Sequence, residues 1–426
     1  MMAIIKNKKV LAWAFYDWAN SAYATVVIAG FFPIFFKQYW ASDLPPEQST
    51  FELGLANAIA SLIIVIIAPL LGSIADQGHY KKRFLILFAF LGIIMTSALF
   101  LVEQGHWALA IAIYILANLG FMGGNVFYDA LIVDITPPKQ RDTTSAFGYA
   151  LGYLGGGVLF VICVLMTQFP TQFGLDDASH AVKFSFIAVA IWWAIFSLPL
   201  LLFVHEKKEQ KSLNGSIFQG FIELKQTFHE IRQLKDTFLF LLAYWFYIDG
   251  VDTIIRMAVD YGLSLGFDSN DLILALLITQ FVGFPAALAF GKLGDRFGAR
   301  SGIFVAIACY LLIVLGAFFI HETHEFYALA FAIGLVQGGI QSLSRSLFSN
   351  MIPPSRSAQF FGFYNMFGKS AAILGPLLVG WISVWTNDAR YSILSISILF
   401  IIGALLLLKV NVTRGTQHAL ELEKKK

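Results

Sequence analysis

The 426-residue chain is 58% hydrophobic and 13% charged, with a mean hydropathy of +0.72. A water-soluble domain carries about 25% charged residues, so this composition excludes an ordinary soluble enzyme and points to a chain solvated by lipid. The formal charge of +2 gives no nucleic-acid footprint, and both cysteines, Cys163 and Cys309, fall inside apolar segments, where they suggest neither a disulfide framework nor a metal site.

A membrane span needs ~20 mostly apolar residues. Twelve such segments follow in order: 11–36, 54–75, 84–102, 107–131, 143–167 and 182–204, then 238–263, 272–294, 302–320, 326–348, 358–384 and 391–409. The first contains Asp17 and lacks a small-residue cleavage site, so it reads as a retained helix. Between the two sixes lies the longest polar stretch, 205–237. There Ile217, Phe221, Leu224, Phe228, Ile231 and Leu234 recur at helical spacing, as in an amphipathic helix on a membrane surface. The expected organisation is therefore a six-helix bundle over 1–204, a linker over 205–237, a second six-helix bundle over 238–412 and a tail over 413–426. The expected fold is an all-α integral membrane protein with twelve transmembrane helices in two pseudo-symmetric bundles.

A duplicated loop supports that division. Gly72-Ser-Ile-Ala-Asp76-Gln77-Gly78 returns 219 positions later as Gly291-Lys-Leu-Gly-Asp295-Arg296-Phe-Gly298, each after the second span of its half and each followed by basic residues. Repeats of this kind build transporters. Lys and Arg gather at the N-terminus, in the loops after even-numbered spans and in the tail. Only Lys37, Lys183 and Arg390 fall at the opposite face, so the positive-inside rule places both termini in the cytoplasm.

Charges inside the spans mark where function should be sought, because each costs at least ~2.5–3.5 kcal/mol to insert. The third, sixth, ninth and twelfth spans carry none in their interiors. The first, fourth, seventh and tenth carry Asp17 and Asn20; Asn118, Asn125 and Asp129; Asp249, Asp252 and Arg256; and Gln337, Gln341 and Arg345. Asp249 lies roughly 16 Å into its span, near the midplane. Asp252, Arg256 and Asp260 follow it on one helical face. The stripe is either a coupling site with one proton-holding carboxylate or a structural salt-bridge ladder. Asp17 and Asn20 sit among Trp13, Tyr16 and Trp18, an aromatic-walled acid and amide suited to an amine or zwitterion. Lys369, also near the midplane, either binds a carboxylate or pairs with Asp249 or Asp17. Asp129, Asp134, Arg141 and Arg345, with Asp76, Asp295 and Arg296 of the duplicated loops, lie towards the basic end and read as gating groups. The two loop aspartates are expected to cap neighbouring helices and bridge to Arg.

The second loop copy (G-x-L-x-D-R-x-G-x-R) resembles the signature of the major facilitator superfamily; the first departs from it at Gln77 and Gly78. The opening Ala-Phe-Tyr-Asp17-Trp-Ala-Asn20-Ser21, the segment Gly123–Pro138 and the segment Gln337–Tyr364 resemble the vacuole-effluxer branch, called in bacteria the unknown major facilitator family. That resemblance implies residence in a bacterial inner membrane. It also implies export of neutral amino acids, the role of the fungal members, which for this chain rests on family analogy alone.

No phosphate-binding glycine loop, His-Glu-x-x-His or nucleophile elbow is present, so neither an enzyme nor ATP-driven transport is indicated, and no cofactor is expected. The resulting expectation is a monomeric secondary transporter in contact with lipid, moving a small polar solute and coupled to protons. A non-transporting sensor or scaffold and a lipid-moving facilitator are the alternatives.

Overall fold

The computed structural model describes residues 7–206, 234–371, 374–386 and 389–424. The amphipathic helix expected within 205–237 falls almost wholly outside them, as does the side chain of Asp260.

The described chain is helical. In order the helices are α1 (Lys8–Trp40), α2 (Pro46–Gly78), α3 (Lys81–Ala98), α4 (Trp107–Ile135), α5 (Arg141–Gln168), α6 (Ala178–Phe203), α7 (Lys235–Ser264) and α8 (Ser269–Phe297). They continue as α9 (Ala299–Phe318), α10 (Thr323–Asn350), α11 (Ser357–Ala371), α12 (Leu374–Thr386), α13 (Ala389–Ser395), α14 (Ser397–Leu408) and α15 (Val412–Lys424). Among the described residues, eleven helices are long and apolar enough to cross a membrane. The segment expected at 358–384 is shared between α11 and α12, on either side of 372–373.

Polar side chains start several of these helices. Asn7, Asp177 and Asp268 accept the backbone N–H of Lys9, His180 and Asn270, and Glu322 with Glu325 forms a reciprocal capping box at α10. The composition of α1 does not announce its backbone. Tyr23–Phe31 and Phe36–Trp40 are π-helical, flanking the short α stretch that holds Pro33. Pro33 has no N–H to return to the ladder, and the chain around it widens to the longer bonding pattern.

The first six helices pack chiefly among themselves, α1 on α5 and α6, α3 on α4 and α6, α2 on α4. In the second set α7 packs on α11 and α14, and α10 on α8 and α9. The two sets meet where α2 lies on α11 and α5 on α8, with α10 against α5 and α11 against α4. Exposed large apolar side chains mark the outward faces: Leu87 and Phe90 on α3, Ile191 and Leu202 on α6, Leu312 and Leu315 on α9, Leu405 and Leu408 on α14. These are the helices whose interiors carry no charge, as a surface against lipid tails requires. α1, α7 and α10 are the most enclosed, 61–67% of their apolar windows being buried.

Candidate functional site

The polar residues form three groups along the interface between the helix sets. The innermost centres on Arg345 of α10, which is 1% exposed. Its guanidinium reaches into the first set. Nη1 donates to Asp129 Oδ1 of α4 at 3.0 Å, Nε to Ser145 Oγ of α5 at 2.8 Å and Nη2 to the Ser145 carbonyl at 2.9 Å. Asp17 Oδ2 of α1 lies 3.9 Å from Nη2. Three rings surround the cation, Tyr149 at 4.3 Å, Trp13 at 4.9 Å and Tyr128 at 5.3 Å from centroid to guanidinium carbon. Trp13 stacks on Tyr128 at 4.4 Å and donates its indole N–H to the Tyr128 carbonyl. The Tyr128 hydroxyl donates to Asp17 Oδ2 at 3.1 Å, and Asn365 of α11 donates to Asp129 Oδ2 at 3.2 Å. A guanidinium is the residue chemistry for such a place, being weakly hydrated, planar and always charged.

The second group closes the end of the interface where the chain terminus and the duplicated loops lie, called here the basic face. Asp76 at the end of α2 accepts the backbone N–H groups of Ala358 (3.1 Å) and Gln359 (2.8 Å), capping α11 of the opposite set. Asp295 at the end of α8 accepts from Thr143 Oγ1 in the first turn of α5. The two loop aspartates thus each hold the start of a helix in the other set. Lys81, 6% exposed, donates to Asp134 at 2.9 Å and to Ser357 of α11 at 2.6 Å, with Asp76 at 3.5 Å. Arg141 donates to the Ser349 carbonyl and to Asn350 at the end of α10. Arg296 stands apart, exposed over the ring of Phe297.

Beside this group Glu206 accepts the N–H groups of Lys81 (2.8 Å) and Lys82 (3.2 Å), the first turn of α3. Burial pushes its carboxyl up to about 7 against the opposing pull of these bonds and of the Lys81 charge. Backbones touch directly where α2 crosses α11. A Cβ on Gly72 would lie 2.4 Å from the Ala358 carbonyl oxygen, and one on Gly362 2.6 Å from Pro69 Cα. The left-handed residue ending α2 is His79 (φ 51°), and its counterpart after α8 is Gly298 (φ 85°). The early Gly78 of the first copy therefore leaves the strained position to a histidine.

The third group lies on α7. Asp249 is fully buried, and both carboxylate oxygens accept the N–H of Gly375, in the first turn of α12, at 3.0 Å; Thr253 adds a bond at 3.3 Å. No ion pair joins Arg256 to Asp249 or Asp252, and the remaining acid of the stripe, Asp260, lies outside the described side chains. Lys369 likewise pairs with neither Asp249 nor Asp17; its charge faces those of Asp252, Arg256 and Asp129 through space. Asn20 donates to Asn125 at 2.6 Å, and Gln341 accepts from the Tyr153 hydroxyl at 3.2 Å, while Gln337 is buried one turn away. An apolar groove of about 770 Å³ on α8, α9 and α10, lined by Phe290, Leu312 and Leu335 among others, holds none of these groups.

Tyr149, Ser145, Lys81, Asn365 and Glu206 carry much of this chemistry, and sequence reasoning did not single them out as site residues. Asn365 and Ser145 had no signal of their own, whereas Lys81 is one of the three consecutive basic residues, Lys81, Lys82 and Arg83, that follow the first loop.

A family model described as "Vacuole effluxer Atg22 like" matches residues 47–420. The chain belongs to that family. Among Atg22-like relatives, the "uncharacterized MFS-type transporter YxiO" of Bacillus subtilis is 40% identical over 403 residues, covering 94% of each chain. Autophagy-related protein 22 of Coccidioides immitis is 24% identical, covering 98% of this chain and 88% of the relative. The fold is that of the major facilitators. The human organic anion transporter MFSD10 superposes with a TM-score of 0.71 at 14% identity over 94% of this chain and 99% of its own. The proton:xylose symporter XylE does so at 0.72 and 15% identity, with 99% of each chain covered. This Atg22-like protein is therefore an integral membrane transporter of major facilitator type.

Proposed function

We propose that the protein is a secondary active transporter that moves a small polar solute, a neutral amino acid being the class that the family resemblance implies, by alternating access. On this reading 1–204 and 238–412 are two pseudo-symmetric six-helix bundles, joined through 205–237 and followed by the tail 413–426, with both termini in the cytoplasm of a bacterial cell. The observation that carries the reading is the buried Arg345, supplied by one helix set to two carboxylates of the other. Such a pair is costly to build and to desolvate, and it serves a purpose if the sets part and rejoin. The conformation is then one closed at the cytoplasmic face by Asp76, Lys81, Asp134, Arg141, Asp295 and Arg345.

Asp252 is the carboxylate best placed to carry a coupling proton. It accepts no hydrogen bond among the described residues and faces the cations of Arg256 and Lys369 without touching them. Asp249 serves instead as the cap of α12. Asp17, Asn20, Asn125, Gln337 and Gln341 furnish polar wall around the solute path. Counterflow of a panel of neutral amino acids into proteoliposomes, with and without an imposed proton gradient, tests the assignment. Exchange of at least one solute, with accumulation only when the gradient is present, supports it; a wild type that exchanges none overturns it.

A further inference from the structure

Arg345 sits inside a complete cation-binding site built entirely by the first helix set. Trp13 and Asp17 come from α1, Tyr128 and Asp129 from α4, Ser145 and Tyr149 from α5. Every cationic or amide partner of the two acids comes from elsewhere: Arg345 from α10, and Asn365 and Lys369 from α11. When the sets separate at this face, those partners leave together. Asp17 then retains Ser21 and the Tyr128 hydroxyl, at 3.3 and 3.1 Å, and Asp129 retains no side-chain partner among the described residues. Two carboxylates left unpaired in an apolar bundle are strongly disfavoured, so either protons or another cation take the place of the guanidinium.

The walls state what kind. Two aromatic faces and a third ring at cation–π distance, with two acids beside them, select a positively charged head of guanidinium size over an anion or a neutral sugar. We propose that this cage is the ammonium subsite of the transported solute, and that Arg345 is its built-in competitor. The solute's ammonium group and the guanidinium occupy the same space in alternation. Entry of the solute therefore releases the second set, and exit of the solute lets Arg345 return and close the face. Asp129 is accordingly a solute ligand in the open state as well as a gate partner in the closed one. This inference rests on the transporter reading and narrows its substrate to molecules bearing an organic cation.

The test uses the full-length protein in lipid nanodiscs, with Cys163 and Cys309 replaced by alanine. Spin labels are attached through Lys139→Cys and Lys292→Cys, two exposed positions outside the polar groups, one on each helix set. Distance distributions are recorded against tetramethylammonium chloride, alanine methyl ester and sodium acetate. Both ammonium probes are expected to move population from the short distance to a longer one, and acetate is expected to have no effect. In the Arg345→Ala background, where no guanidinium shares the rings, Trp13→Leu and Tyr128→Leu should each raise the half-effective ammonium concentration at least about tenfold, as loss of a desolvated cation–π contact requires. Arg345→Ala, which removes the competitor, should lower it by a similar factor.

Ammonium probes that leave the distribution unchanged, while acidification alone lengthens the distance, would show that protons and not solute replace Arg345, and would overturn the inference. So would half-effective concentrations indifferent to Trp13→Leu and Tyr128→Leu. Counterflow in the same lipid separates the two levels. Exchange of an uncharged or anionic solute with no ammonium effect leaves the transporter reading standing and removes this one. An ammonium effect without any solute exchange removes the transporter reading, and with it the assignment of the cage to a transported solute.

Discussion

Asp76→Ala tests the gate at the point where its energetics are simplest. The Asp76 carboxylate accepts two backbone N–H groups at the start of α11, at 3.1 and 2.8 Å, across the boundary between helix sets. A hydrogen bond to a charged group contributes about 1.5–3 kcal/mol, and loss of an N-cap costs about 0.5–2 kcal/mol. The two bonds share one carboxylate, and Lys81 keeps Asp134 and Ser357 after the substitution. A combined loss of ~2–4 kcal/mol follows, all of it from the closed state, because the bonds exist only while α2 meets α11. The closed-to-open ratio should then fall ~30- to 700-fold. Spin labels at positions 139 and 292 read that ratio directly. An unchanged distance distribution, together with a lowered unfolding temperature, would refute the reasoning, since Asp76 would then stabilise the first set alone.

Asp252→Asn should abolish proton-driven accumulation in proteoliposomes while leaving exchange intact; Asp249→Asn should leave accumulation in place, and the reverse result would exchange the roles assigned to the two acids. Gly375→Ala should fail to fold stably, because its Cβ would lie 1.8 Å from Thr253 Oγ1, and Thr253→Ala should recover part of the lost unfolding temperature. His79→Gly should raise stability by up to ~1 kcal/mol, as the left-handed backbone costs about 1–2 kcal/mol for an L-residue and the added chain entropy of glycine offsets part of that. Glu206 gives a pH signature. Its folded pKa of about 7 lies above the ordinary 4.5, so its contribution is present in full below pH 4.5 and is lost as pH rises through 7. Thermal unfolding followed across that window should lose this slope in Glu206→Gln.

The helix layout was legible because lipid imposes a strict rule on composition. A charge within an apolar segment is conspicuous; Arg345 does reach across the boundary to Asp129 and Asp17, while Asp249 is buried against α12 of its own set. The division between lipid-facing and enclosed helices followed from the same cost. Partnerships were another matter. Asp249 is held by a backbone N–H of α12, and a backbone group leaves no mark in a sequence. Arg345 and Asp129 are 216 positions apart, and only the tertiary fold selects that pair over Arg345 with Asp249. Tyr149 and Ser145 are unremarkable residues in an apolar helix, and become ligands because Arg345 arrives from the other set. Lys81 was one of the basic residues that follow the first loop, with nothing in the sequence to mark it as buried; Ser357 and Asp134 close over it. Of the two loop aspartates, Asp76 does cap a helix of the opposite set, with Lys81 in place of the expected Arg, whereas Asp295 caps none and takes the side-chain hydroxyl of Thr143.

If the sets part at this face as proposed, the bare contact of α2 with α11 at Gly72 and Gly362 sets the mechanical character of the gate. Interlocked side chains must change rotamer together before two helices part, so resistance rises abruptly and over a wide area. Here backbone lies directly on backbone, and each pair of touching atoms contributes only ~0.1–0.2 kcal/mol. Resistance resides in a few discrete bonds at the rim, each of which water can take over singly. Such a seam peels rather than snaps, and its speed can be retuned by changing one acid without disturbing the packing of either half.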